Sequence, residues 1–584
     1  MGQSCALQRP SCCPCSSIST SGGGCRSSWG TARPPGSMCV GGSSASTSPR
    51  SGKPLCQLEM PKGKLHEGQH RATLEVKEGG FALGSLVATH AGQVEEQFTL
   101  EGKVGEGGFG AVRKARCKDT GAWRAVKSIA RSAVPDMELL REEINIMRLV
   151  DHPHIVRLSE TFEDSCWVYL VMELCEGGEL FQQISQAQVF SEPVTAAYTR
   201  QMLLAVNYLH QNRIMHRDLK PENFLFGAKL DQVSMEKATL KLIDFGFSKR
   251  LSFNEHCETL CGTLLYIAPE VLEERYAFKA DVWSLGVMLY LMLSGRLPWG
   301  NLRNDDLLMK AVKEGNILTD GGAWRSISDD AKNLVHHLLT KDPEVRPQAV
   351  QALEHKWLAE APKQRVRTSL TAGDVGQLKA FGQMNNLKKA ATDVLVTQLP
   401  ESEIQELKAL FMDMDTNKDG TVSLAELKKA LGMSGVQLPD NIAELMTECD
   451  LDGSGVLDYT EFLGAVMDRK QYHQKDILWA AFKRFDCDNS GFIDRKELHK
   501  VLNEEVRESM GLGGKISNVD KILAEVDKDN NGQIDFEEFF EMMVSVGQDK
   551  SVTKQVSSKS AALRKRMLKT GRTLMVVASI AGEN

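Results

Sequence analysis

The chain has 584 residues, 42% of them hydrophobic and 25% charged, with a formal net charge of -7. That length exceeds what one hydrophobic core supports, so several units are expected, and so mild a charge argues against nucleic acid as a partner. No run reaches the ~20 apolar residues that span a bilayer, and the longest candidate, residues 282–293, reads as a buried helix.

Residues 1–56 are rich in Ser, Gly, Pro and Cys, contain no Asp or Glu, and hold seven of the 14 cysteines without the spacing of a zinc site. Such a composition cannot bury enough apolar surface to offset the entropy of ordering, so a disordered N-terminus is expected, with an extension over 57–97 after it. Gly2 comes directly after Met1, and Cys5 lies near it. Together they offer one myristoyl and one palmitoyl site, the two signals that stable anchoring needs, so a cytoplasmic protein attached peripherally to a membrane is the expectation. Ala6 departs from the Ser or Thr preferred there.

From Phe98 the sequence turns into Val- and Gly-rich strand-like stretches, then helical periodicity to Leu358. Gly105, Glu106, Gly107, Gly108, Phe109 and Gly110, with Val112, form a Gly-x-Gly-x-x-Gly-x-Val run whose glycines let backbone approach phosphate oxygens. By itself this run fits a dinucleotide fingerprint equally well. Five motifs C-terminal to it decide between the two: Ala125-Val126-Lys127, Glu143 on an amphipathic stretch, then His216-Arg217-Asp218-Leu219-Lys220-Pro221-Glu222-Asn223, Asp244-Phe245-Gly246 and Ala268-Pro269-Glu270.

In that order the motifs resemble a protein kinase domain over 98–358. The resemblance implies a bilobal fold with ATP between the lobes, in contact with the glycine run, Lys127, a gatekeeper Met172, Glu173 and Cys175. It assigns Mg²⁺ to Asn223 and Asp244, pairs Glu143 with Lys127, and has Asp218 orient the attacking hydroxyl. Lys220 implies serine or threonine as acceptor. Asp281 should anchor the catalytic loop, Arg346 should pair with Glu270, and Met147, Leu158, His216 and Phe245 should stack as a spine. Glu179 and Glu222 occupy positions that grip an arginine three residues before the acceptor in basophilic relatives. Thr259 lies where many kinases accept an activating phosphate, and Arg217 is the type of residue that pairs with it.

Between 401 and 545 a helix–acidic loop–helix pattern recurs four times, with loops starting at Asp415, Asp450, Asp486 and Asp527. A twelve-residue Ca²⁺ loop needs oxygen ligands at positions 1, 3 and 5, a carbonyl at 7 and a bidentate Glu at 12, with Gly at 6 for the turn. The first loop supplies Asp415, Asn417, Asp419, Thr421, Ser423 and Glu426, and the second Asp450, Asp452, Ser454, Val456, Asp458 and Glu461. The third supplies Asp486, Asp488, Ser490, Phe492, Asp494 and Glu497, and the fourth Asp527, Asp529, Asn531, Gln533, Asp535 and Glu538. All four are expected to bind Ca²⁺ as two pairs, 401–470 and 471–545, joined at position 8 by Val422, Leu457, Ile493 and Ile534.

The segment 359–400 holds a basic patch, 363–367, and a helical stripe of Leu378, Phe381, Met384, Leu387, Ala391, Val394 and Leu395. A kinase domain, such a junction and four EF-hands resemble the calcium-dependent protein kinases of plants and protists over about 98–545. The expected fold class is therefore multidomain α+β, a bilobal kinase leading into an all-α calmodulin-like module. The resemblance implies a Ca²⁺-activated serine/threonine kinase using ATP, Mg²⁺ and Ca²⁺, acting on proteins with Arg at minus three. In it the junction, with Lys379, Lys388 and Lys389, blocks the catalytic site until the EF-hands bind it intramolecularly. A dead-kinase scaffold would have lost Lys127, Asp218 or Asp244, and none is lost. Residues 546–584 form a basic tail of open role.

Overall fold

The computed structural model describes residues 87–544 except 108–109, 135, 188, 232, 301, 303, 360–368, 400, 468–474, 487, 489 and 502–517. The expectations for Gly2, Cys5, the first 56 residues, Gly108, Phe109, the basic patch 363–367 and the C-terminal tail lie outside the described residues.

The N-terminal lobe is a six-stranded sheet of β1 (Ala88–Ala91), β2 (Phe98–Gly107), β3 (Gly110–Cys117), β4 (Trp123–Ala130), β5 (Leu158–Glu163) and β6 (Trp167–Met172), in the order β1-β5-β6-β4-β3-β2. Strand β1 falls in the stretch read as an extension. It joins the edge of the sheet instead, parallel to β5, with Ala88 opposite Glu160 and Ala91 opposite Glu163. Helix α1 (Met137–Leu149) begins where the Asp136 carboxylate accepts from the Glu138 N–H at 2.9 Å, and its Leu140, Ile144 and Met147 stripe faces the core.

In the C-terminal lobe α2 (Leu180–Ala187), α3 (Glu192–Gln211) and α4 (Lys279–Ser294) surround two short antiparallel pairs, β7 (Ile214–Met215) with β10 (Lys249–Arg250) and β8 (Phe224–Phe226) with β9 (Leu240–Leu242). Helix α4 holds the apolar run 282–293 and is buried on every side, the fate of a helix with no polar face. Helices α5 (Asp305–Glu314), α6 (Asp329–Leu338), α7 (Ala349–Leu353) and α8 (Lys356–Ala359) complete the lobe. No helix among the described residues is long and apolar enough to cross a membrane.

The junction is two helices. In α9 (Ala372–Gly382) Thr371 and Asp374 form a capping box, and α10 (Asn386–Gln398) opens where the Asn385 side chain accepts from Lys388 N–H at 2.9 Å. The EF-hand helices come next: α11 (Glu401–Met414), α12 (Leu424–Met433), α13 (Ile442–Cys449), α14 (Tyr459–Val466), α15 (Lys475–Phe485), α16 (Arg495–Val501), α17 (Asn518–Val526) and α18 (Phe536–Val544). Leu378, Phe381, Leu387 and Leu395 of the junction share one hydrophobic core with Phe411, Phe462, Phe482 and Phe539 of the four hands. Lys388 donates from Nζ to the Met542 carbonyl at 2.5 Å, and Lys389 to that of Glu448 at 2.7 Å. The calcium module thus grips the junction from both of its halves.

The same module rests on the kinase, against the loop between α1 and β5 and on α3. Lys408 donates from Nζ to the Pro153 carbonyl at 3.0 Å, and the Thr460 N–H donates to Asp151 at 2.7 Å. Arg484 of the third hand reaches β5, 3.2 Å from the Glu160 carboxylate and hydrogen-bonded to the Ser159 carbonyl. Lys483 lies 2.9 Å from Asp119, and Arg124 of β4 donates to Gln398 at 2.5 Å.

Candidate functional site

The hairpin of β2 and β3 sets Gly105 opposite Val112 and Gly107 opposite Gly110. A Cβ on Gly110 would fall 1.7 Å from the Ser128 carbonyl oxygen of β4, so this position admits only glycine. Below the hairpin Lys127 is 9% exposed, with Nζ 2.9 Å from Glu143 Oε1 on α1 and 3.4 Å from Asp244 Oδ1. Burial alone would lower the ammonium pKa, yet Glu143 and Asp244 outweigh it and raise it. Asp244, which burial alone would raise, is held below the usual carboxylate range by Lys127. Lysine, glutamate and aspartate are therefore all in place on one side of the cleft, which is the arrangement phosphoryl transfer requires.

The loop carrying Asp218 is fixed from beneath. Asp281 accepts from His216 N–H at 2.9 Å and Arg217 N–H at 3.0 Å, and His210 Nε2 lies 2.9 Å from it. Asp218 faces Lys220 Nζ at 2.6 Å and accepts from Thr263 Oγ1 at 2.8 Å, while Asn223 donates to the Asp218 carbonyl at 2.8 Å. Ile243 N–H donates to the Asn223 carbonyl at 2.9 Å, which ties the strand before Asp244 to this loop. Arg217 and Asp244 have φ of 69° and 63°, left-handed values that a non-glycine residue adopts only where the surroundings enforce them.

Met172 ends β6 between Ala125 and Leu158, the Glu173 N–H donates to the Arg157 carbonyl at 3.0 Å, and Cys175 is half-buried. Met147, Leu158, His216 and Phe245 are all buried, the last two with ring centroids 5.4 Å apart. Arg346 and Glu270 form a buried bidentate pair at 2.5 and 3.0 Å, not a solvated surface pair. Burial raises the carboxylate pKa of Glu179 and of Glu222, the second helped by its proximity to Glu179, and Glu222 Oε2 is buried without a hydrogen-bond partner. Thr259 is exposed, whereas Cys257 is buried beside Arg217, whose Nε donates to the Phe247 carbonyl at 2.5 Å.

The four loops share one geometry. At position 6 Gly420, Gly455, Gly491 and Gly532 have φ of 81°, 83°, 90° and 83°, and each donates its N–H to the carboxylate at position 1 (Asp415, Asp450, Asp486, Asp527) at 2.7–2.9 Å. Positions 9 and 12 bond reciprocally: the N–H of Ser423, Asp458, Asp494 and Asp535 donates at 2.9–3.0 Å to Glu426, Glu461, Glu497 and Glu538. That is a capping box for each exiting helix, so the motif that starts the helix also aims the bidentate glutamate inward. Carboxylate oxygens of Asp450, Asp452 and Glu461 lie within 4.8 Å of one another, as do those of Asp486, Asp488 and Glu497 and of Asp527, Asp529 and Glu538. In the first loop Asn417 replaces the second aspartate, and burial, then Asp419 and Glu426, push Asp415 up to about 8; a divalent cation among these oxygens reverses that bias. Residues of this set thus fit Ca²⁺, and Val422 with Leu457, and Ile493 with Ile534, form the expected bridges.

The contacts that join sensor to kinase escaped sequence reasoning. Asn207 of α3 donates to the Lys418 carbonyl in the first calcium loop at 2.5 Å, and a Cβ on Gly420 would lie 2.4 Å from the Tyr208 ring.

Comparison with known proteins agrees with this geometry. Residues 98–358 match the protein kinase domain, and 404–467 and 474–544 match the EF-hand domain pair. The chain is 37% identical to calcium-dependent protein kinase 17 of Arabidopsis thaliana, over 87% of this chain and 94% of that protein. It is 39% identical to calcium-dependent protein kinase 33 of the same plant, over 77% and 84%, and 36% identical to calcium-dependent protein kinase 3 of Plasmodium berghei, over 79% and 83%. With a serine/threonine kinase domain, ATP as its substrate and EF-hands for Ca²⁺ on one polypeptide, the chain belongs to the calcium-dependent protein kinase family.

Proposed function

We propose that at low Ca²⁺ the junction, about 370–395, blocks the kinase, and that Ca²⁺ filling of the EF-hands draws it away. The observation that carries this reading is the junction's position. Its apolar face lies in the sensor core, and Lys388 and Lys389 are engaged with the Met542 and Glu448 carbonyls instead of the acidic pair Glu179 and Glu222. Ca²⁺ shifts such an equilibrium only through differential affinity. Moving from 1% to 99% active needs about 5.5 kcal/mol, roughly 1.4 kcal/mol for each of four ions. Phosphorylation of a peptide by the purified chain, with Ca²⁺ or chelator and no added calmodulin, tests it; equal rates in both conditions refute it.

In the catalytic step Lys127, fixed by Glu143, positions the α- and β-phosphates, and Asp218 orients the acceptor hydroxyl with Lys220 beside it. Asn223 and Asp244 would hold Mg²⁺, which would supply neutralisation of phosphate charge. Glu222, with an unsatisfied buried oxygen and Glu179 nearby, suits a guanidinium at minus three, since a bidentate cation relieves both the repulsion and the lost hydrogen bond. Peptides with Arg→Ala at minus three should lose most of kcat/KM.

A second reading is favoured by the contacts at Asp151, Pro153, Asn207 and Glu160: the docked sensor also braces the active kinase. A chain ending at Pro362 that binds ATP separates the two, being active under simple release and inactive if bracing is required. Acylation at Gly2 and Cys5 with peripheral membrane attachment completes the proposal, and intact mass from a eukaryotic host tests it. Activation without a phosphate on Thr259 fits Arg217 being engaged by the Phe247 carbonyl; Thr259→Ala should keep Ca²⁺-stimulated activity.

A further inference from the structure

Glu173 follows β6 in the hinge between the lobes, the stretch expected to meet ATP, and three cations gather at its carboxylate. Lys241 of β9, a buried side chain, brings Nζ to 2.8 Å from it. Arg157 and Arg124 face it as well. Burial works to lower both guanidinium pKa values, and the Glu173 carboxylate is among the charges that oppose it at each.

Lys241 belongs to the kinase alone, but each arginine is held from outside it. Arg157 donates to Asp151 Oδ1 at 2.6 Å, and Asp151 Oδ2 accepts from the Thr460 N–H of α14 at 2.7 Å. Arg124 donates to the Thr397 carbonyl at 3.3 Å and to the Gln398 side chain at 2.5 Å, both in the last turn of α10. Carbonyls in the last turn of a helix lack intrahelical partners and carry its negative pole, so a guanidinium there is held by charge as well as by geometry. The sensor thus tethers one arginine and the junction the other, and both reach the same hinge carboxylate.

The backbone repeats the arrangement. The Glu173 N–H donates to the Arg157 carbonyl at 3.0 Å, the Val156 N–H to that of Leu242 at 2.9 Å, and the Leu242 N–H to that of His154 at 2.8 Å. Both the hinge and β9, the strand leading to Asp244, are therefore bonded to residues 151–157, and the sensor rests on that segment at Asp151 and Pro153.

From this convergence we propose that Arg124 and Arg157 are positioning residues for nucleotide: with the sensor docked they hold Glu173 and its hinge in the form that binds ATP, so Ca²⁺ raises the affinity of the kinase for nucleotide. The proposal rests on the reading that the docked sensor braces the kinase, and it names what the brace acts on. When the sensor leaves, Asp151 loses the Thr460 donor and Arg124 loses its helix end, while the Lys241–Glu173 pair remains. The free kinase then still binds ATP, but more weakly. Coupling between two binding equilibria is mutual, so nucleotide raises the affinity for Ca²⁺ by the same factor.

The test is calorimetric binding of the magnesium complex of AMP-PNP, a non-hydrolysable ATP analogue, to the full chain with Ca²⁺ or chelator. A dissociation constant about ten-fold lower in Ca²⁺ is expected, with a matching gain in Ca²⁺ affinity when the analogue is present. Equal constants in the two conditions overturn the proposal, however any variant behaves. If they are equal while a chain ending at Pro362 is inactive, the brace stands and only its action on nucleotide is refuted. Arg157→Gln and Arg124→Gln should each cut the ten-fold ratio to about two-fold while barely changing the constant in chelator, and Arg157→Lys, which keeps the charge, should retain most of it. In steady-state assays at saturating Ca²⁺, Arg157→Gln should raise KM for ATP about five-fold with kcat little changed. Variants that keep the full Ca²⁺ ratio, whether their affinity is unaltered or is weakened equally in both conditions, overturn the proposal, because a merely structural role gives that result.

Discussion

Asn207, on the longest helix of the C-terminal lobe, donates from Nδ2 to the backbone carbonyl of Lys418, the fourth residue of the first calcium loop, at 2.5 Å. Lys418 has φ of 60°, and Gly420 two residues on packs its Cα against Tyr208. The loop that binds the ion is thus also the surface that touches the enzyme. Losing one such hydrogen bond costs about 0.5–1.5 kcal/mol, so Asn207→Ala should raise the Ca²⁺ concentration for half-activation roughly two- to ten-fold, with kcat at saturating Ca²⁺ preserved. A calcium titration of peptide phosphorylation measures both.

The Arg484–Glu160 pair joins the third hand to β5, and its side chains are only 13% and 17% exposed. Breaking a largely buried pair leaves a charge uncompensated, so Glu160→Gln should weaken docking more than the exposed Lys483–Asp119 pair does when Asp119→Asn is made. A double-mutant cycle of Arg484→Ala and Glu160→Gln, read by calcium dependence, should give a coupling of about 1–3 kcal/mol.

These contacts mark the limit of what the sequence displays. Lys127, Asp218 and Asp244, and the loop residues from Asp415 to Glu538, are legible because chemistry dictates residue type and spacing together. The apolar face of Leu378, Phe381, Leu387 and Leu395 is legible because burial imposes a helical period. Nothing comparable announces that Lys408 will meet a carbonyl at Pro153, or that 88–91 will pair beside β5. Both depend on how separate units dock, and a backbone acceptor or a four-residue edge strand has no distinctive side-chain signature.

Asp393 of α10 is fully buried, with neither carboxylate oxygen hydrogen-bonded. Burial, then Asp151, pushes its pKa well above the usual range, against the pull of Arg157 and Lys389. A raised folded-state pKa means stability that is full below the unfolded value and is lost as pH rises through the folded one. Asp393→Asn should therefore stabilise the assembled protein by about 1 kcal/mol or more at high pH, since each pKa unit is worth about 1.4 kcal/mol, and flatten the loss. Thermal unfolding between pH 6 and pH 9, in excess Ca²⁺, is the measurement.

Removing a bidentate calcium ligand should act locally. Glu497→Gln or Glu538→Gln should abolish one binding event by calorimetry and shift activation to higher Ca²⁺, because each loop holds its own glutamate through its own capping box.

The movement of the junction from the kinase into the sensor on Ca²⁺ binding is the central claim, and hydrogen–deuterium exchange of the full-length protein tests it most directly. Exchange is measured on peptides covering 372–398 and 151–157 and on those holding Glu179 and Glu222. With Ca²⁺ the junction amides and those of 151–157 should be strongly protected, and with chelator that protection should fall while peptides holding Glu179 and Glu222 gain it. Junction peptides that exchange alike in both conditions, with no change around Glu179 and Glu222, would contradict it.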